Sequence, residues 1–236
     1  MSSISEAVLI TGGTKRLGYQ IALKTLKMGY SVIIHYRNDS GINLQSLFPP
    51  EYKNRVYFIQ QELQTEPENL IKIAASHPVT LCGLVNNASI FETGNLADID
   101  HLKKILNINS LIPAILANAF TTTVNNGWII NITDANIRTP NSRFQNYRIS
   151  KLILEELTKQ LAFLYAPKFR VNAIAPGAML PATHEDQQYF KQLAEKIPLQ
   201  STGDISSLVD AYEFLVKTPY ITGEIIHIDG GWHLTN

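Results

Sequence analysis

A phenol and an ammonium stand four residues apart in Tyr147-Arg148-Ile149-Ser150-Lys151, a spacing that puts both on one face at a helix start. An unperturbed phenol titrates near ~10, so as a proton donor at neutral pH it benefits from a neighbouring cation, and Lys151 is placed to be one. Ahead of this pair, Thr133-Asp134 follows a buried-looking apolar run and leads through a loop to Tyr147. Near the N-terminus, Thr11-Gly12-Gly13-Thr14-Lys15-Arg16-Leu17-Gly18 has the make-up of a turn that offers backbone N–H groups and a helix start to a phosphate. The run His35-Tyr36-Arg37 ends on a guanidinium, whose fork suits a 2′-phosphate better than a ribose diol; no carboxylate follows until Asp39. NADPH is therefore the expected cofactor. Asn109 lies four residues before Pro113, which has no N–H, so the Asn109 carbonyl loses its helical partner and becomes a candidate station in a proton relay to Lys151.

These side chains need a scaffold that gathers them. Short β-branched runs at 7–10, 31–35, 56–60, 84–86, 128–132, 171–174 and 225–228 alternate with helical patterns such as 17–28, 152–164 and 205–216. Strand–helix alternation with strands apolar on both faces predicts an α/β fold. The expected form is a single Rossmann-like, doubly wound parallel sheet of about seven strands with helices on both faces. No linker, repeat or low-complexity tract divides the chain, so residues 1–236 read as one domain. Ligands of such sheets bind beyond the carboxyl ends of the strands where strand order reverses, and each residue above follows a strand or lies on a helix that can face that crevice.

Composition removes other classes. Twenty Lys+Arg balance twenty Asp+Glu, so the basic excess of a nucleic-acid binder is missing, and nothing invites an anionic membrane surface. The lone cysteine, Cys82, excludes an internal disulfide framework and a cysteine-based zinc site; no metal site is expected. The first residues carry no signal pattern and no apolar run looks long enough to span a bilayer, which reads as a soluble, cytoplasmic chain.

The chain resembles the short-chain dehydrogenase/reductases over essentially its whole length. The matching stretches are the turn from Thr11 to Gly18, Asn86-Asn87-Ala88-Ser89, Asn109, Tyr147 with Lys151, Pro176-Gly177, and Ile228-Asp229-Gly230-Gly231. That resemblance implies catalysis by Tyr147, Lys151, Asp134 and Asn109, with hydride passing to or from a nicotinamide. It implies cofactor contacts from Gly12, Lys15, Arg16, Leu17, His35, Tyr36, Arg37, Glu62, Leu63, Asn87, Ala88, Ser89, Thr133, Tyr147, Lys151, Pro176 and Gly177. It also implies a homo-oligomer, usually a tetramer, paired through the helices at 102–123 and 152–164.

Three departures narrow the resemblance. Arg16 stands where the third glycine-type residue of the turn is usual, Asp134 replaces the usual serine thirteen residues ahead of Tyr147, and Phe91 follows Asn-Asn-Ala-Ser with one residue between. Together with the C-terminal Tyr220-Ile221-Thr222-Gly223 and Asp229 to Leu234, they look like the pteridine reductases and dihydromonapterin reductases of the family. A carboxylate suits a pterin, whose amino group and ring N–H are donors, and an aromatic ring stacks on a flat heterocycle. Arg16, Ser89, Phe91, Asp134 and Tyr147 are the expected substrate contacts. The expected reaction is NADPH-dependent reduction of dihydromonapterin, dihydrobiopterin or dihydrofolate to the tetrahydro form. Two alternatives stay open: a carbonyl reductase such as a 3-oxoacyl-carrier-protein reductase, and a non-catalytic NADP-sensing protein. The stretch after Pro176-Gly177, including His184 and Glu185, is the expected lid.

Overall fold

A computed structural model describes residues 5–38, 43–179 and 187–235. Seven strands, β1 (Glu6–Thr11), β2 (Ser31–Tyr36), β3 (Val56–Gln60), β4 (Thr80–Asn86), β5 (Gly127–Ile132), β6 (Phe169–Pro176) and β7 (Ile225–Ile228), form one parallel sheet in the order β3-β2-β1-β4-β5-β6-β7. The chain winds one way from β1 to β3 and the other from β4 to β7, so the ends of β1 and β4 flank the reversal point, where a ligand crevice opens.

Alternate residues of each strand enter different layers. Ala7, Leu9, Ile33, Leu84 and Ile129 pack with α2 (Asn69–Ala75) and α4 (Ile112–Thr123), and Leu161 of α5 (Gln145–Tyr165) joins them. Val8, Ile10, Val32, Ile34, Val85 and Ile130 face the other way, onto α1 (Arg16–Lys27) and α7 (Ile205–Lys217). Burying both faces is why these strands read as continuous apolar runs. The short helices α3 (Ile99–Leu106) and α6 (Gln187–Ala194) complete the set.

Four expectations change. The strand expected at 84–86 starts at Thr80, because Leu81 and Gly83 extend its pairing beside β1, and Cys82 lies within it. The helix at 152–164 starts at Gln145, which sets Tyr147 in its first turn. The helix at 102–123 is interrupted by a π turn over Asn107–Leu111, in which the Ile112 N–H reaches back to the Asn107 carbonyl; Pro113, which has no N–H to give, follows directly. Counting that turn, residues 99–123 form one helical stretch that is long and apolar enough to cross a membrane, contrary to the sequence expectation, yet half of its most apolar window is buried against the rest of the fold.

Candidate active site

The turn after β1 is held from three sides. Gly12 adopts φ +64°, and a Cβ there would press on Ala88 Cα at 3.3 Å; Gly18 has no room for one, with the Gly12 carbonyl oxygen only 2.3 Å from where it would sit. Asn87 donates from its side-chain amide to the carbonyls of Thr11 and Gly12 (2.9 and 3.0 Å), while the backbone N–H groups of Asn87 and Ala88 donate to Thr11 Oγ1 (2.9 and 3.0 Å). These bonds lock β1 to β4 across the reversal point. His35 is the third brace. Its Nδ1 accepts from the Gly12 N–H at 3.3 Å and its Nε2 bonds the Gln61 carbonyl at 2.9 Å, which fixes the Nε2–H tautomer; burial pushes its pKa down, so the ring stays neutral. Arg16 opens α1 at φ +52°, a backbone conformation that favours glycine and that this longer side chain carries under strain.

Around this turn the sequence-derived cofactor residues fall into two groups. Lys15, Arg16 and Arg37 are exposed, Leu17 and Tyr36 half-buried, and all lie at the mouth of the crevice end of β1 and β2. Thr133 is fixed against β6, its N–H and hydroxyl both donating to the Ile174 carbonyl (2.8 and 3.2 Å), and Gly177 donates to Ile228 O at 2.9 Å just beyond Pro176. In contrast, Leu63 sends its side chain into the core, His35 spends both ring nitrogens on the chain, and Glu62 is exposed and accepts from Gln64 N. Asp39, His184 and Glu185 lie outside the described residues, as do residues 180–186 of the expected lid that begins at Ala178; Met179, at its start, is buried in the core.

On the other side of the reversal point, α5 delivers Tyr147 and Lys151 together, both buried. The Tyr147 hydroxyl donates to Asp134 Oδ2 at 2.8 Å, and Asp134 Oδ1 accepts the Asn136 N–H at 2.8 Å. Burial pushes the Asp134 carboxyl above its ordinary range, against the pull of its hydrogen bonds and of Lys151 and Arg148. Burial and the adjacent carboxylate push the Tyr147 phenol well above its usual value. The spacing of Tyr147 and Lys151 suggested that the ammonium would pull the phenol down. Instead Lys151 Nζ donates to the Ile132 carbonyl at 2.8 Å and stands 5.9 Å from the Tyr147 ring centre, and burial lowers its own pKa to about 8. The cation that pulls the phenol down is Arg148, which the sequence reading passed over.

Asn109 acts through its side chain. Its Oδ1 accepts from Ile90 N (2.8 Å) and Ser89 Oγ (3.1 Å), and its Nδ2 donates to Ile90 O (2.9 Å) and Ser150 Oγ (3.0 Å). It thereby ties the segment after β4 to α5 and sets Phe91 beside Tyr147. Phe91, 56% exposed, meets the Tyr147 ring edge-on at 4.7 Å and stacks on Phe144 at 4.5 Å, 10° from parallel. Backbone bonds from Gly94 N to Arg143 O and from Gln145 N to Gly94 O hold the two aromatic segments side by side. Phe144 was missed in the sequence; an aromatic three residues before Tyr147, at a helix start, is the signal that could have found it.

The arrangement combines an anion-binding turn, a hydrogen-bonded phenol–carboxylate pair, a buried ammonium and an open aromatic face. It can hold a dinucleotide and exchange a proton with a flat, donor-rich ring. Comparison with known proteins gives the same direction. The family model described as enoyl-(acyl carrier protein) reductase matches residues 13–233. The chain is similar to the dihydromonapterin reductases of Enterobacter sp. (strain 638), 26% identical over 95% of both chains, and of Shigella flexneri serotype 5b, 27% identical over 96% of both. Among solved structures it is similar to FolM alternative dihydrofolate reductase 1 from Brucella suis in complex with NADP, at 30% identity and a TM-score of 0.89, covering 97% of this chain and 95% of the other.

Proposed function

The chain belongs to the short-chain dehydrogenase/reductase family of oxidoreductases, and from that premise we propose that it reduces a dihydropterin to its tetrahydro form with NADPH. The observation that carries this reading is the 2.8 Å bond from the Tyr147 hydroxyl to Asp134 Oδ2 beneath the exposed ring of Phe91. A carboxylate accepts hydrogen bonds from the amino group and ring N–H of a pterin, where it would repel a ketone oxygen. The names of the relatives, dihydromonapterin reductase and alternative dihydrofolate reductase, support the same substrate class.

The residues present fit the cofactor. Gly12 and Gly18 let the turn pack tightly on Ala88 and Asn87 at the start of α1, and the first N–H groups of a helix, here α1, lack intrahelical partners and suit a pyrophosphate. Arg37, exposed just beyond β2, takes the 2′-phosphate. Lys151 has donors beyond the one given to Ile132 O, and these meet the nicotinamide ribose. Bound NADPH supplies the hydride for the imine carbon. Tyr147 turns its O–H from Asp134 to the adjacent ring nitrogen and gives up its proton. Asp134, relieved of the phenol's bond, accepts from the pterin's donors, and Phe91 covers the ring. A homotetramer belongs to the same reading, since Leu111, Ile115, Ile153 and Leu164 remain exposed on the π turn, α4 and α5.

NADPH consumption with dihydromonapterin, dihydrofolate and a 3-oxoacyl thioester in parallel tests the reading. Turnover of a dihydropterin without the thioester is expected. Thioester turnover alone would make the chain a carbonyl reductase, and NADPH binding with no turnover of any of the three would favour a sensing role.

A further inference from the structure

The loop that leaves β5 carries Asp134, whose carboxylate is tied within the loop only through the Asn136 N–H. Its base is pinned by backbone: Thr133 N donates to Ile174 O (2.8 Å) and Ala135 N to Pro176 O (2.9 Å). Beyond that, two arginines clasp the loop to α5, in opposite directions. Arg148, on the helix, donates from Nη2 to Asn136 Oδ1 in the loop at 2.7 Å. Arg138, in the loop, donates to Glu155 Oε2 on the helix at 2.6 Å. The first clasp is the one that reaches the chemistry, because Asn136 gives its N–H to Asp134 Oδ1 (2.8 Å) while Asp134 Oδ2 takes the Tyr147 hydroxyl (2.8 Å). A single run of hydrogen bonds therefore leads from a guanidinium to the phenol, starting and ending on adjacent residues of one helix.

We propose that Arg148 is a positioning residue of the reductase site: through Asn136 it fixes the turn that presents Asp134 to Tyr147. The inference rests on the reading of Tyr147 and Asp134 as the reacting pair. The Arg148 side chain suits the task because it is 8% exposed, its planar fork holds one orientation, and it keeps its charge at every working pH. Its Nη2 is committed to Asn136, Nη1 has no hydrogen-bond partner among the described residues, and the positive charge is shared over the whole guanidinium. That charge acts at short range on the carboxylate and the phenol, drawing both toward their ionised forms. Lys151 also draws the Asp134 carboxyl down, but its ammonium is directed to Ile132 O and Arg148 is the cation that acts on both the carboxylate and the phenol. The charged groups facing Asp134 are Tyr147, Arg148 and Lys151 from α5, with Glu155 one turn further along and Arg138 facing Glu155 from the loop.

The test compares Arg148→Met, Arg148→Lys and Asn136→Ala with wild type, reading kcat, KM and NADPH affinity across pH. In Arg148→Met, kcat is expected to fall about tenfold to a hundredfold while the NADPH Kd stays within about twofold, and the acid limb of the kcat profile moves up by about one pH unit. Arg148→Lys restores the charge and returns the limb toward its wild-type position. Asn136→Ala removes the hydrogen bond alone and lowers kcat at an unmoved NADPH Kd, which keeps the test open if Arg148→Met fails to fold. A readout independent of turnover is the Asp134 carboxyl signal in an aspartate-labelled sample, assigned with Asp134→Asn: its titration should move upward in Arg148→Met. If wild type turns over no dihydropterin, the functional reading fails while the carboxyl titration still decides the role of Arg148. Unmoved limbs and an unmoved carboxyl titration in Arg148→Met, with kcat lost only in step with thermal stability, would overturn the positioning role.

Discussion

The two walls of the crevice are built from different materials. The proposed cofactor wall, at the ends of β1 and β2, is shaped by the path of the backbone: a left-handed glycine, a second glycine under which the helix closes on the turn, and hydrogen bonds in which the side chains of Asn87, Thr11 and His35 each brace a main-chain group. The proposed catalytic wall, between β5 and α5, is built largely from buried polar side chains. There Tyr147, Arg148, Lys151 and Glu155, with the half-buried Asp134, crowd together, and among the described residues Arg148 Nη1 and Glu155 Oε1 have no hydrogen-bond partner. The first wall is complementary to a ligand shape at little electrostatic cost. The second keeps groups in the interior that would be better solvated outside, which is the state in which they can move protons.

Tyr147→Phe is the sharpest way to separate the walls. It removes the proposed proton donor and its bond to Asp134 while leaving the glycine turn untouched, so kcat is expected to fall by about a thousandfold with NADPH binding preserved. Equal losses of turnover and cofactor affinity, measured by steady-state kinetics and by titration of bound NADPH, would mean that the two walls are not separable.

Arg37→Ala is the converse change, acting on the cofactor wall alone. A charge-assisted bond to the 2′-phosphate contributes about 1.5–3 kcal/mol, so NADPH is expected to bind roughly ten- to a hundredfold more weakly, with NADH little affected. Parallel losses for both nucleotides would place the recognition of the 2′-phosphate elsewhere. Phe91→Leu probes the space between the walls. Loss of an aromatic stacking partner should raise the dihydropterin KM by about three- to tenfold at nearly constant kcat, because the ring touches Tyr147 only by its edge. A fall in kcat with an unmoved KM would show that Phe91 orients Tyr147 rather than the substrate.

The same contrast explains what could be read in advance. The alternation of strands and helices gave the sheet, because buried parallel strands announce themselves as apolar runs. The glycine turn was legible because a left-handed φ and a missing Cβ demand one residue type, and Tyr147 with Lys151 because helical spacing joins them. The clasps of Arg148 to Asn136 and Arg138 to Glu155 were not, because each joins a loop of irregular path to a helix, 12 and 17 residues apart, and no periodicity links them. His35 was read as a cofactor contact since it ends β2 in the right place. Only the fold reveals that its ring faces the turn and Gln61. The direction of the Tyr147 shift was misread for a related reason: sequence spacing brings a cation near but cannot say that its ammonium is directed to a carbonyl.

The smallest effect tests the difference in kind between the walls. Burial raises the Asp134 pKa in the folded chain above its value in the unfolded chain, so the folded state binds this proton more tightly. Below the unfolded value, near ~4, the carboxyl is protonated in both states and costs nothing. As pH rises through the raised folded value, the buried charge lowers stability, and the penalty is complete above it. In Asp134→Asn the amide oxygen still accepts the Asn136 N–H and the NH2 donates to the Tyr147 oxygen, but the group cannot ionise. The substitution is expected to raise the melting temperature of the cofactor-free protein at pH 8 by a few degrees, about 1 kcal/mol, with the gain vanishing near pH 4, while turnover falls. Gly18→Ala, whose added methyl meets the Gly12 carbonyl, should instead lower the melting temperature by the same amount at every pH. A wall shaped for fit loses stability when altered. A wall poised for proton transfer gains it, and a pH-independent change in Asp134→Asn would remove that distinction.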